Sequence, residues 1–197
     1  MRLLPTTRSG ISVNGEPLET TIAAAQDGAE WAWRRLYDEL AGPVRGYLRV
    51  RGAEEVDDLV GEVFVQLARN IRSFSGDGPA FRSWVFVIAH HRLVDERRKR
   101  RRRPTAVASQ AVLEGLVAAD DPAAEALAHV ATERVLRLFG LLTPQQREVL
   151  ALRIVAGLSL EQTALIVGKR VNAVKALQRR GLEAIRRAHG DRPRDEA

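Results

Sequence analysis

The chain contains no cysteine, which excludes disulfides, thiol redox sensing and thiolate zinc sites. It has no stretch approaching the roughly 20 apolar residues that a spanning helix needs, so membrane insertion is not expected. Met1 to Thr20 lacks a basic start followed by an apolar core, and it does not read as a secretory signal. The histidines (His90, His91, His129 and His189) stand at no ligand-like spacing from carboxylates, so neither a metal nor another cofactor is expected. Catalytic motifs are equally scarce. There is no Gly-rich phosphate loop, no GxSxG and no HExxH. His90 and His91 are adjacent and would diverge by about 100° on a helix. Asp57-Asp58 falls at a helix start, where acids suit the dipole. The chain therefore does not read as an enzyme.

What is present is a soluble, basic protein expected in the cytoplasm. Its 197 residues allow one domain or two small ones, and 45% hydrophobic with 28% charged residues is a foldable balance. The net charge of +6 is unevenly held. Met1 to Glu96 is −3, Arg97 to Arg103 is +7, Pro104 to Ala131 is −4 and Thr132 to Ala197 is +6. Two electropositive segments split by an acidic one suggest a polyanion touched at two points.

Periodicity gives an all-α chain in two compact pieces, with no convincing strand. Residues 1–19 read as a mobile tail. Helical patterns follow over Ala29–Val50, with Pro43 kinking or dividing the run, and over Glu55–Arg72. The second has an apolar stripe of Val56, Leu59, Val60, Val63, Phe64, Leu67, Ala68 and Ile71. Ser73–Pro79 is a loop by composition. A long helix then runs from about Ala80 to Arg101, where Trp84 and Phe86 are assigned to the core. Residues 20–103 form the first domain, 104–122 a linker, 123–189 the second domain and 190–197 a tail. Within the second domain, helices are expected over Pro122–Gly140, Pro144–Val155, Leu160–Val167 and Val171–Ala188. Thr143-Pro144-Gln145-Gln146 and Ser159-Leu160-Glu161-Gln162 both carry capping-box signals.

Ser159 to Ala188 has the layout of a helix-turn-helix. A short capped helix meets Gly168, and a longer basic helix begins near Val171. Ala164 is small where the helices approach, and Leu160, Leu165, Val171 and Val174 are expected to pack between them. On the second helix Asn172, Lys175, Ala176 and Arg179 fall near one face, with Arg180 beside them. Arg and Lys suit guanine edges or phosphates, and Asn suits adenine.

Together the halves resemble an extracytoplasmic-function sigma factor of the sigma-70 family. The similarity rests on Glu55-Val56-Asp57-Asp58-Leu59-Val60-Gly61-Glu62-Val63-Phe64, then Phe74, Gly76, Phe81-Arg82-Ser83-Trp84 and Ile88-Ala89. It resumes at Leu142-Thr143-Pro144-Gln145-Gln146-Arg147-Glu148-Val149-Leu150, Gly157-Leu158-Ser159 and Val174-Lys175. The resemblance implies two helical domains, region 2-like and region 4-like, on a flexible linker. It implies that Asp57, Asp58 and Glu62 dock on RNA polymerase core, and that the loop and helix after them read and open the −10 promoter element. Phe74, His91, Arg92, Arg97 and Arg98 are the candidates there, with Arg97–Arg103 tracking phosphates. Asn172, Lys175, Ala176, Arg179 and Arg180 would contact the −35 element. An anti-sigma factor is implied as a further partner. His91 stands where the family usually has Asn, and Asn172–Gln178 departs from the common recognition-helix sequence, so both element sequences stay open. The alternative is a LuxR-type regulator, whose terminal domain shares the second half but whose first half would be a sensor or receiver.

Overall fold

A computed structural model describes residues 17–102 and 132–190. The region expected as linker, Arg103 at the end of the basic run, and most of both expected tails lie outside the described residues. Among those described, the secondary structure is helical and no strand occurs.

Helix α1 spans Leu18–Gln26, so Leu18 and Glu19 belong to a helix and not to the tail. Helix α2 runs unbroken over Glu30–Val50 with Pro43 inside it. An interior proline costs roughly 3 kcal/mol. Leu36, Leu40, Val44, Tyr47 and Leu48 are each fully buried on either side of it. At about 1.5–3 kcal/mol per buried large aliphatic side chain, packing outweighs the lost hydrogen bond.

Helix α3 spans Val56–Asn70 and closes in a 3-10 turn over Ile71–Ser73. Its inward stripe is Leu59, Val60, Val63, Leu67 and Ile71. Val56 and Phe64 are half-buried, and Ala68 is exposed, against expectation. Ala68 follows Leu67 by about 100° of helical rotation, which carries it off the packed face. Helix α4 spans Gly78–Arg102, burying Phe81, Val85, Phe86, Ile88, Ala89 and Leu93. The run that could have been a strand is thus helix interior. Trp84 is half-buried and Phe86 fully buried.

In the second half, α5 is described over residues 132–140. Helix α6 spans Pro144–Leu150 and passes into a π turn over Ala151–Val155, where a uniform α-helix was expected. Helix α7 spans Leu160–Val167 and α8 spans Val171–Gly190. Both capping boxes are formed. The Thr143 and Ser159 hydroxyls accept from the Gln146 and Gln162 amides, and each Gln side chain accepts from its cap residue's N–H. Arg147 donates to the carbonyls of Phe139, Gly140 and Leu142, capping the end of α5.

The two halves are packed against each other. Phe139, Leu142, Leu150, Ala151, Leu152, Ala156 and Leu158 join the same apolar cluster as Leu36, Leu48 and Phe86. A second, smaller cluster of Val149, Ala164, Val174 and Leu177 holds α7 and α8 together.

Candidate nucleic-acid interface

Gly168 sits between α7 and α8 at φ 62°, ψ 37°, a left-handed turn that glycine adopts without the steric cost of a Cβ. This aims α8 across α7. Leu160, Val167 and Val171 pack at the margin of their small cluster. Leu165, expected in that contact, is instead 82% exposed. The packed face of α7 is Leu160, Thr163, Ala164 and Val167, and Leu165 lies about 100° beyond Ala164, on the outer side.

Along α8, Asn172, Lys175, Arg179 and Arg180 are exposed, while Ala176 is half-buried. Arg179 is 3.4 Å from Glu183, and Arg180 donates to the Ala176 carbonyl at 3.3 Å. Lys169 and Arg170 stand just before the helix, Arg170 exposed. The sequence reading left both out although they border the turn. Glu161 on α7 has its carboxyl held below the usual range by hydrogen bonds from its own backbone and the Ser159 hydroxyl, with Lys175 contributing.

On the first half, α3 presents Asp57, Asp58 and Glu62 to solvent. Asp57 is already paired, accepting from Arg45 Nε at 2.8 Å. Burial opposes the charge on Arg45, but Asp57 overcomes it and holds the guanidinium pKa above its ordinary value. Glu62 lies 3.9 Å from Arg92, which also donates to Gln66 at 2.6 Å. Arg92, Asp95, Arg98, Lys99 and Arg102 line an open, mostly basic cleft. Arg98 in the cleft is exposed, as is His91 elsewhere on the same helix.

Two candidates sit differently from their neighbours. Phe74 is half-buried in an aromatic group, edge-on to Phe81 at 5.1 Å and stacked on Trp84 at 5.2 Å. Its backbone is pinned by Gln26, which donates to the Ile71 and Phe74 carbonyls. Arg97 turns inward and donates to the carbonyl of Arg51. Burial and the nearby Arg51 charge press its pKa below the ordinary arginine value.

The sequence reading missed a polar junction between the halves. Arg51 is bound to Glu148 at 2.7 Å, with side chains only 7% and 17% exposed. His90 Nδ1 lies 3.2 Å from the Tyr47 hydroxyl and 3.6 Å from Glu148. Burial pushes the Tyr47 hydroxyl up to about 12 and His90 down from its usual value. Arg82 Nε donates to the Ala156 carbonyl at 2.7 Å, and the Gln162 amide donates to the Pro79 carbonyl at 2.9 Å.

An acidic helix beside a basic one, followed by a capped helix-turn-helix, is the arrangement that two family matches describe. The sequence matches sigma-70 region 2 over residues 31–103 and sigma-70 region 4 over residues 132–185. It is 30% identical over 182 residues to the ECF RNA polymerase sigma factor SigD of Mycobacterium tuberculosis, covering 89% of this chain and 85% of SigD. It is 32% identical over 168 residues to the ECF RNA polymerase sigma factor BldN of Streptomyces coelicolor, covering 84% of this chain but 63% of BldN. Among solved structures, CnrH in complex with the cytosolic domain of CnrY aligns with a TM-score of 0.61 at 23% identity, over 88% of this chain and 97% of that one. The chain belongs to the extracytoplasmic-function sigma factors of the sigma-70 family. The LuxR-type alternative finds no support, since residues 31–103 match sigma-70 region 2 where such a regulator would carry a sensor or receiver.

Proposed function

We propose that this chain directs RNA polymerase core to specific promoters and opens the −10 region, acting in the cytoplasm and without catalytic chemistry of its own. The observation that carries the reading is the side-by-side placement of an acidic docking face and a basic cleft on one helical pair, α3 and α4. Asp58 and Glu62 would meet basic residues of the core. His91, Arg92 and Arg98 would meet the −10 element, with Lys99 and Arg102 on phosphates. Opening a duplex costs a few kcal/mol of unstacking, offset by contacts to the extruded bases. On α8, Asn172, Lys175, Ala176, Arg179 and Arg180 would face the −35 element, in the way the second helix of such a motif enters the major groove. Phe74 would serve as a base platform only after leaving its stack on Trp84. Arg97 would reach DNA only once released from Arg51.

An anti-sigma factor is a proposed further partner. Exposed Trp31, Tyr37 and Val65 on the first half, and Ile154 and Leu165 on the second, offer it apolar contacts.

The test is reconstitution with core polymerase and selection of promoter fragments from a random pool. Recovery of a bipartite motif with start-site-specific transcripts is the expected result. Binding to duplex DNA alone, with no association with core, would sink the reading.

A further inference from the structure

Helix α1 holds the proposed −10 loop from both sides. Leu18–Gln26 precedes the residues matched to sigma-70 region 2, which begin at 31, and the roles proposed above do not use it. Thr21, Ile22 and Ala25 bury one of its faces. Its two ends carry polar side chains that reach the backbone on either side of the loop. At the C-terminal end, Gln26 Nε2 donates to the Ile71 carbonyl at 2.9 Å and to the Phe74 carbonyl at 2.8 Å. At the N-terminal end, Glu19 Oε1 accepts from the Gly78 N–H at 2.9 Å.

Helix ends leave backbone carbonyls and N–H groups without intrahelical partners. Here α1 supplies partners where α3 closes in its 3-10 turn and where α4 begins. A carboxylate at the start of α4 also complements its dipole. A Cβ built on Gly78 would stand 3.1 Å from Glu19 Oε1 and 3.2 Å from Leu18 Cδ2, so glycine at this position is what lets α1 lie so close to the loop. Between the held points, Ser75, Gly76 and Asp77 are exposed. The Phe74 ring is held separately, by its stack on Trp84. Hydrogen bonds from Gln26 grip the backbone and the stack grips the ring. The ring can therefore swing out about its own side-chain torsions while the Phe74 carbonyl stays in place.

We propose that Glu19 and Gln26 are positioning residues for −10 recognition, fixing the backbone of residues 71–78 so that Phe74 and the exposed tip meet extruded bases in one geometry. The proposal rests on the −10 reading given above. A loop ordered in advance does not draw its ordering cost from the contacts to each base. A loop with several backbone states would repack around correct and incorrect bases alike and discriminate less.

The test uses the full-length chain with core polymerase on promoter fragments that share one −35 element and differ by single base pairs in the selected −10 element. The readout is the ratio of open complexes on the selected sequence to those on the altered ones. Glu19 is exposed, so Glu19→Ala should fold, and Glu19→Gln keeps an acceptor oxygen. Small misplacements of a reading group are costly, and the ratio should fall about threefold in Glu19→Ala and about tenfold in Gln26→Leu, which loses both donors. Glu19→Gln should restore the wild-type ratio. A merely structural role for α1 would weaken open complexes on every fragment alike. An unmoved ratio in either folded variant, or a Glu19→Gln chain that behaves as Glu19→Ala, overturns the proposal and leaves the sigma reading intact. If Gln26→Leu is misfolded by circular dichroism, the two Glu19 variants decide the matter. Absence of initiation by wild type at any promoter overturns the sigma reading itself, and the positioning role with it.

Discussion

The recognition helix offers a test in which reading and tracking of DNA separate cleanly. Lys175 lies exposed in the first two turns of α8, between Asn172 and Arg179. Its side chain belongs to no apolar cluster, so Lys175→Ala should leave the melting behaviour within the roughly ±0.5 kcal/mol typical of surface changes. If the ammonium reads a base edge, its loss should cost about 1–3 kcal/mol, roughly 5- to 150-fold in affinity. That loss should appear on the selected −35 sequence and vanish on a scrambled one. If it binds phosphate, both sequences should weaken alike and the slope of log K against log salt should become shallower by about 0.9. Equilibrium binding of holoenzyme to the two fragments at several salt concentrations measures both quantities. Unchanged affinity and slope together would refute the assignment of this face to DNA. Glu161, electrostatically coupled to Lys175 across the turn, supplies an internal control. Removing its charge with Glu161→Gln should strengthen binding to both fragments equally.

Reversing Asp58 and Glu62 to Lys should weaken core binding by more than tenfold, read by co-elution with core, without loss of helicity, because both side chains are exposed. Ser159→Ala removes one half of the capping box on α7; it should cost about 1 kcal/mol in chemical denaturation, and an unchanged midpoint would contradict the capping assignment. Stability should also depend on pH through His90. Burial and the Arg51, His91 and Arg97 charges lower its pKa, outweighing Glu148, and Tyr47 faces the same ring. The folded chain then binds fewer protons than the unfolded one. The stability is present above the ordinary histidine value of about 6.5 and declines as the pH falls below it, down to the lowered folded value. Thermal melts of wild type against His90→Gln should converge on acidification, and parallel curves would exclude His90 as the source.

The helices and their ends were readable because their determinants are local. The capping boxes at Thr143 and Ser159, and Gly168 at the turn, act over three or four residues. The apolar stripe of α3 was right at its buried positions, partly so at Val56 and Phe64, and wrong at Ala68, which helical rotation carries off the packed face. Leu165 shows the limit of the same logic. The sequence reading put it between the helices, but on this eight-residue helix the packed face is Leu160, Thr163, Ala164 and Val167, and Leu165 falls about 100° beyond Ala164. The π turn was not foreseeable, since Ala151–Val155 has an ordinary helical pattern and the bulge places Val155 against Gly46 of the other half.

The candidate site divides along the same line. Exposed residues on single helices, such as Asp58, His91, Lys175 and Arg179, follow from periodicity and family resemblance. Residues whose role depends on the partner half do not. Arg51 reads as the charged end of α2, Glu148 as one polar position in a capped helix, and Arg97 as the first of seven basic residues meant for phosphate. Ninety-seven positions separate Arg51 from Glu148, and neither carries a local signal of the other. Only the packing of the two halves turns a solvated arginine, a solvated glutamate and a phosphate-tracking arginine into one junction.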